Sequence, residues 1–291
     1  MEPGAARERR ADRPVARTAR GRMITRTIVS GWFAAFAIVA IASAQEIVTL
    51  PTRAGVTQSY FLASAPKQPQ AIAVLFPGGS GLVRLRNEGG QIKFSPTNFV
   101  IRTRGELVKR GVVAAFVDAP SDFQSEGMND EFRLGENHFK DISVVVDDLK
   151  KRFPDLPVFL VGTSRGTISA AALAARFASE IAGVVLTSTV FRASGARARD
   201  GGPGLSRFDF ATIKVPLLFV HHVSDGCGVT PYGDAARLAS KYPLISVSGG
   251  RPPESGPCDP LSAHGYFGKE PETIEQIVNW MLKKPYLSEV K

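Results

Sequence analysis

The feature that most narrows the folds open to this chain is a junction near its middle. The apolar run Val158-Phe159-Leu160-Val161 leads directly into Gly162-Thr163-Ser164-Arg165-Gly166 and then into the alanine-rich stretch 167–175. A short run without alternation reads as a strand buried on both faces, and the alanine-rich stretch as a helix. A turn this tight between strand and helix needs glycine wherever a side chain would strike its neighbours. It also lifts the Ser164 hydroxyl clear of the sheet, beside a helix N-terminus that favours developing negative charge. The bare Gly-x-Ser-x-Gly pattern is common, so its setting carries the inference; a structural turn with a capping serine is the alternative.

The surrounding pattern agrees with such a junction. An entry hairpin is expected over 46–50 and 56–63, followed by apolar strand-like runs at 71–76, 112–117, 158–161, 184–186, 217–220 and 244–247. Helix-like segments fall between them at 98–110, 138–152, 165–178, 231–241 and 271–282. Strands alternating with helices predict an α/β sheet with crossover connections, in one domain spanning 45–291. With 44% hydrophobic and 22% charged residues, collagen-like, disordered and disulfide-scaffold classes are excluded. Two connections, 121–137 and 191–216, are longer than a crossover requires. Phe123, Met128 and Phe132 are expected either to line an entrance or to pin the first of them, and the second to form only a short flap.

A serine is a poor nucleophile at neutral pH without a base, and the base needs an orienting acid. In the order Ser, acid, His, the run 217–222 is followed by a turn bearing Asp225, and His264 precedes the last helix. Asp209 and Asp259 are rival acids. His221 and His222 read as core or rim histidines at a strand end, and His138 as a solvated or capping residue. The strand 71–76 ends in Pro77-Gly78-Gly79-Ser80-Gly81, whose backbone N–H groups can approach a substrate unobstructed. Gly79 with Arg165, the residue after the serine, is the expected pair of oxyanion donors. Ligand spacing for zinc is lacking, and no P-loop or dinucleotide fingerprint is present.

On Gly162-Thr163-Ser164-Arg165-Gly166, Pro77-Gly78-Gly79, Asp225 and His264, the chain resembles the α/β-hydrolase superfamily over residues 46–282, in particular its small esterases and dienelactone-hydrolase-like members. The resemblance implies a mostly parallel eight-stranded sheet flanked by helices, without a large lid domain, and a site at the carboxyl ends of the strands. Two departures matter: Pro77 stands where many esterases carry His, and Ser164 stands where dienelactone hydrolases proper carry Cys, so their substrate does not transfer with the fold. Cys227 and Cys258 are the only cysteines, and an even count in a chain with an export signal favours a disulfide. That bridge would tie the acid loop to the histidine loop.

The formal charge of +9 is unevenly placed: residues 1–44 hold eight Arg against Glu2, Glu8 and Asp12. The uncharged stretch 27–45 follows, apolar at its centre and closing on Ala42-Ser43-Ala44. Basic, apolar and small-residue regions in that order predict a signal peptide cleaved after Ala44, with Met23 as an alternative start to Met1. A single membrane anchor would need a longer apolar run. Residues 45–291 carry 28 basic and 24 acidic side chains and no basic-aromatic motif, so nucleic acid is not an expected partner. Arg84, Arg86, Arg102 and Arg104 are expected on a solvated rim rather than in an acid-binding site. The expected function is a periplasmic or secreted serine hydrolase of a small-molecule ester. It would use Ser164, His264 and Asp225 and no cofactor or metal. An acyltransferase, a peptidase, or a non-catalytic binding protein of the same fold are the alternatives.

Overall fold

The computed structural model describes residues 45–194 and 202–291, so the expected signal peptide at 1–44 and its alternative starts lie outside the described residues. β1 (Glu46–Arg53) and β2 (Val56–Leu62) form the entry hairpin, with Gly55 at φ +71° in its turn. Then follow β3 (Ala71–Phe76), the short hairpin of β4 (Arg86–Glu88) and β5 (Gln91–Lys93), and the helical turns α1 (Phe99–Arg102) and α2 (Arg104–Lys109). β6 (Val112–Val117), α3 (Asp130–Leu134), α4 (Glu136–Arg152), β7 (Val158–Thr163) and α5 (Gly166–Phe177) make up the middle of the chain. β8 (Gly183–Thr187), β9 (Leu217–His222), α6 (Tyr232–Leu238), β10 (Leu244–Val247), α7 (Glu270–Met281) and β11 (Glu289–Val290) complete it.

The main sheet runs β1-β2-β6-β3-β7-β8-β9-β10-β11; β1 and β2 are antiparallel and all strands from β6 onward are parallel. Every residue of β3, β6, β7, β8 and β9 is buried. Alternation is present but hidden, because both faces are apolar. Ile72, Val74 and Phe76 pack with Ile142, Val145 and Ile168 on one side, whereas Ala73, Leu75 and Phe116 pack with Phe99, Leu107 and Ile277 on the other. Each such side chain contributes about 1.5–3 kcal/mol on burial, which is why short strands hold a sheet of this width.

The expected mostly parallel sheet is present, but with nine strands rather than eight. The extra one is the two-residue edge strand β11, too short and too polar to announce itself. The helix expected over 98–110 breaks at Thr103, whose Oγ1 donates back to the Phe99 carbonyl at 2.7 Å. The connection 121–137 contains α3, and Phe123 packs on Phe132 with ring centroids 4.2 Å apart beside Met128, so these residues pin the loop. In the second long connection, Phe191, Leu205 and Phe210 are buried in the core. Among the described residues no helix is long and apolar enough to cross a membrane.

Strand register brings the functional loops to one edge: Phe76 pairs with Gly162, Thr163 with Thr187, Thr187 with Val220, and His222 with Val247. The turn after β7 is admitted only because Gly162 and Gly166 lack side chains. A Cβ on Gly162 would lie 2.4 Å from the Gly166 carbonyl oxygen, and one on Gly166 would lie 2.0 Å from that of Phe76. Backbone cannot yield as a flexible side chain can. Gly166→Ala should therefore destabilise the fold by about 3 kcal/mol or more, measured by urea unfolding; a loss of only a few tenths would show that β3 and the turn can separate.

Candidate active site

Ser164 sits at φ +51°, a left-handed conformation that is costly for a residue with a Cβ. Its surroundings hold it there. The Ser164 N–H donates to the Thr187 carbonyl at 3.0 Å, and the Ser164 carbonyl accepts from the Thr167 N–H at 2.9 Å and Thr167 Oγ1 at 2.6 Å. The side chain lines a cleft of about 250 Å³ shared with Gly78, Gly79, Asn98, Cys258, Asp259 and His264. The 12-residue α5 begins directly behind it, so its positive dipole end faces the position of the hydroxyl.

The structure brings Asp225 and His264 together across 39 residues of sequence. His264 Nδ1 lies 3.0 Å from Asp225 Oδ2, with the carboxylate side chain wholly buried. Asp225 Oδ1 accepts the Cys227 N–H at 2.9 Å, and Thr230 Oγ1 donates to Oδ2 at 2.9 Å. The Asp225 carboxylate accepts the hydrogen bond of the ring Nδ1–H, which leaves the Nε2 lone pair uncommitted. Nε2 is buried and has no hydrogen-bond partner among the described residues, Ser164 Oγ included.

The histidine loop is fastened from beneath by residues that the sequence pattern did not single out. Tyr266, fully buried at φ +59°, donates from its hydroxyl to the Val220 carbonyl at 2.6 Å and accepts the Ser188 N–H at 3.0 Å. Ser188 Oγ donates to the His264 carbonyl at 2.7 Å. Burial raises the Tyr266 phenol above its ordinary pKa, so it remains the O–H donor this arrangement needs. Nothing in composition or spacing marks Ser188, Thr230 or Tyr266: apart from the local bond of Thr230 to Asp225, their side chains reach the site across 34 to 78 residues, Thr230 Oγ1 also lying 3.2 Å from His264 Nδ1.

Cys227 and Cys258 are bonded, with Cα atoms 4.6 Å apart, joining the Asp225 loop to the segment that lines the cleft before His264. Neither rival acid is hydrogen-bonded to His264: Asp209 caps its own short helical turn, and Asp259 lines the cleft but accepts the Gly256 N–H. The glycine loop after β3 runs against the nucleophile, since a Cβ on Gly78 would come within 2.8 Å of Ser164 Cβ. Neither the Gly79 nor the Arg165 N–H donates to any described residue, so both remain available beside the hydroxyl.

Of the other histidines, His221 accepts the Thr189 N–H through Nε2 at 3.0 Å, and His222 accepts the Ser224 N–H through Nδ1 at 3.1 Å. His222 is satisfied at both nitrogens, its Nε2 lying 3.0 Å from the Gly249 carbonyl, whereas the buried Nδ1 of His221 has no hydrogen-bond partner among the described residues. His138, expected to be solvated or capping, is instead buried against Phe132 and Phe76 with neither nitrogen hydrogen-bonded, because α4 begins two residues earlier and turns this position inward. Of the rim arginines, Arg102 pairs with Glu270 and Arg86 with Glu88, while Arg104 stacks over Phe94. None of the four lines the cleft. No group of three or more potential metal ligands occurs among the described residues.

Burial, reinforced by the Arg133 and Arg53 charges, lowers the His138 pKa to about 3; burial does the same at His221, also to about 3. Both fold neutral, so stability is fully present above pH 6.5 and is lost as pH falls toward 3, where the unfolded chain takes up protons the folded chain excludes. Between pH 7 and 5, each histidine should cost about 2 kcal/mol of stability in urea titrations. His138→Leu should remove about half of that combined loss; an unchanged slope would show that His138 does not stay neutral. Reducing the disulfide, or Cys227→Ser with Cys258→Ser, should lower stability by about 3 to 4 kcal/mol, and the reduced wild-type protein should titrate two thiols. A folded, unreduced sample that already titrates two would show the bridge unformed.

A sequence model of the serine aminopeptidase family S33 matches residues 102–208. Sequence comparison with curated proteins finds no match. Among solved structures, Est1E from Butyrivibrio proteoclasticus is similar at 15% identity and TM-score 0.54, over 81% of this chain and 96% of that one. A cold-adapted esterase from an Arctic intertidal metagenomic library is similar at 16% identity and TM-score 0.52, over 82% and 93% of the two chains. A putative α/β hydrolase from Agrobacterium tumefaciens also matches at 16% identity and TM-score 0.52, over 82% and 98%. At such identities the likeness is one of fold. Strand order and these matches together show the α/β-hydrolase fold.

Proposed function

We propose that this protein is an exported serine hydrolase of small carboxylic esters. The observation that carries the reading is the state of His264: Nδ1 committed to buried Asp225, Nε2 uncommitted, in the cleft that Ser164 lines. In the first step His264 Nε2 takes the Ser164 Oγ proton as that oxygen bonds to the acyl carbon, and the carbonyl oxygen becomes an oxyanion held by the Gly79 and Arg165 N–H groups. Collapse breaks the bond to the alcohol, which leaves with the proton from Nε2. Water then repeats the sequence on the acyl-enzyme, and Asp225 orients the ring and stabilises its charged form throughout.

The cleft of about 250 Å³ is small for a binding pocket and accommodates a short acyl or alcohol group. No Lys side chain lines it, Asp259 is its one carboxylate, and the rim arginines stay outside, which favours uncharged over acidic substrates. The cysteine pair and the basic-apolar-small leader support export to the periplasm or exterior, where a disulfide persists. The S33 match keeps a peptidase as the second reading, with Asp259 placed to meet an amino group.

Ser164→Ala should lower hydrolysis of p-nitrophenyl acetate by about 10³-fold or more and abolish fluorophosphonate labelling. Full residual activity in that variant would reject the assignment. In a panel graded by acyl length, kcat/KM should fall beyond short acyl chains; faster cleavage of aminoacyl arylamides than of esters would favour the peptidase.

A further inference from the structure

The oxyanion donors proposed above lie on two separate loops, and each has a structural reason to wander. Gly79 sits at φ +59° with no atom within 4 Å of the position a Cβ would take, so no steric contact prevents rotation of its peptide planes. Gly78 and Gly81 on either side are closely packed, against Ser164 and against Met128 and Arg133, so Gly79 is the loose point of the loop. The Arg165 N–H belongs to the strained turn around Ser164. Hydrogen bonds do the holding: one lies within the loop, from the Gly81 N–H to the Gly78 carbonyl at 3.2 Å, and the others converge on one short helix.

That helix is α3, in the connection between β6 and α4. Arg133 is 1% exposed, and its guanidinium donates to the Gly79 carbonyl at 3.0 Å and to Ser169 Oγ on α5 at 2.9 Å. Asp130, three residues earlier and also 1% exposed, pairs through Oδ1 with the guanidinium of Arg165. Asp130 Oδ2 accepts the Gly204 N–H at 2.9 Å from the second long connection, and Arg165 Nη1 donates to Ser194 Oγ at 3.2 Å. The same segment grips the loop once more, where the Met128 N–H donates to the Ser80 carbonyl at 2.8 Å. α3 itself is set by Asn129, whose side chain accepts the Phe132 N–H at 2.8 Å.

Resting on the serine-hydrolase reading, we infer that Asp130 and Arg133 are positioning residues that clamp the two halves of the oxyanion site from one turn of helix. Arg133 fixes the Gly79 peptide by its oxygen. That peptide carries the Ser80 N–H; the Gly79 N–H belongs to the preceding peptide, whose Gly78 carbonyl accepts the Gly81 N–H at 3.2 Å, so Arg133 orients this donor through the shared Gly79 Cα. Asp130 fixes the side chain of Arg165, and with it the backbone beside the nucleophile. A buried ion pair is weak support for stability as such, but retaining one where two loops must keep register has a function. Preorganised donors that need not reorient as charge develops lower the barrier without tightening substrate binding.

The signature is thus a loss in kcat at nearly constant KM, mirrored in affinity for an oxyanion mimic. In the full chain, Arg133→Met should lower kcat for p-nitrophenyl acetate by about 10- to 100-fold. KM should stay within about three-fold of wild type, and the Ki of a trifluoromethyl ketone, which forms a tetrahedral oxyanion on Ser164, should rise by the same factor as kcat falls. Arg133→Lys should recover part of both, a rescue that a space-filling role would not produce. Asp130→Asn keeps the shape and the acceptor for Gly204 and should move kcat and Ki in the same direction, which provides the test should Arg133→Met not fold by circular dichroism. Folded variants whose kcat and Ki both stay within about two-fold of wild type would overturn the clamp. So would a fall in kcat with unchanged affinity for the ketone. Wild-type protein inert toward both esters and fluorophosphonate would overturn the hydrolase reading itself, and the clamp with it.

Discussion

Much of this structure follows from one close approach, that of the β7-α5 turn to the end of β3. Gly166 lies so near the Phe76 carbonyl that no side chain fits between them, and Gly162 is equally near Gly166. This contact lets α5 start immediately after the strand, and it forces Ser164 to φ +51°. The strained residue is therefore the one left partly open, between buried Thr163 and Arg165. It also sets the spacing between the nucleophile and the glycine loop after β3, because that loop emerges from the strand being approached. A wider turn would relax the serine and move it away from the Gly79 N–H.

Around that turn the fold solves a second problem, that of holding groups from distant parts of the chain in register. The parallel sheet supplies a common edge, but loops that leave it are free unless tied. Three ties are visible. Tyr266 and Ser188 fasten the histidine loop to the ends of β8 and β9. The Cys227–Cys258 bond fastens it to the acid loop. Asp118 fastens the glycine loop, accepting the Val83 and Leu85 N–H groups at 2.7 and 2.8 Å. Buried polar groups that are fully satisfied give rigidity of this kind, at the risk of a large loss if one partner is removed.

Legibility in the sequence followed the range of the interaction. The strands 71–76, 112–117 and 244–247 match their observed bounds, because an apolar run framed by turn residues is local information. The turn at Ser164 was equally legible, since glycine at both flanks reports a steric need met within five residues. α3 is not legible: five residues without periodicity read as loop, and the helix exists because Asn129 caps it and two of its three charged residues, Asp130 and Arg133, find buried partners. His138 was misplaced for a similar reason. Its position near a helix start pointed to solvent, whereas packing against Phe132 and Phe76 draws it inward.

By itself the sequence determined the layer architecture, the strand-turn-helix bearing Ser164, and a short set of residues that such a serine would need. Those follow from hydrophobic pattern and glycine placement, which act over a few residues. Only the tertiary structure decided that Asp225 rather than Asp209 or Asp259 meets His264. It alone revealed that a buried Asp and Arg on α3 reach both loops beside the nucleophile. The reason is physical: a hydrogen bond between groups tens of residues apart exists only once the sheet has placed their loops within reach, and no local pattern encodes that distance.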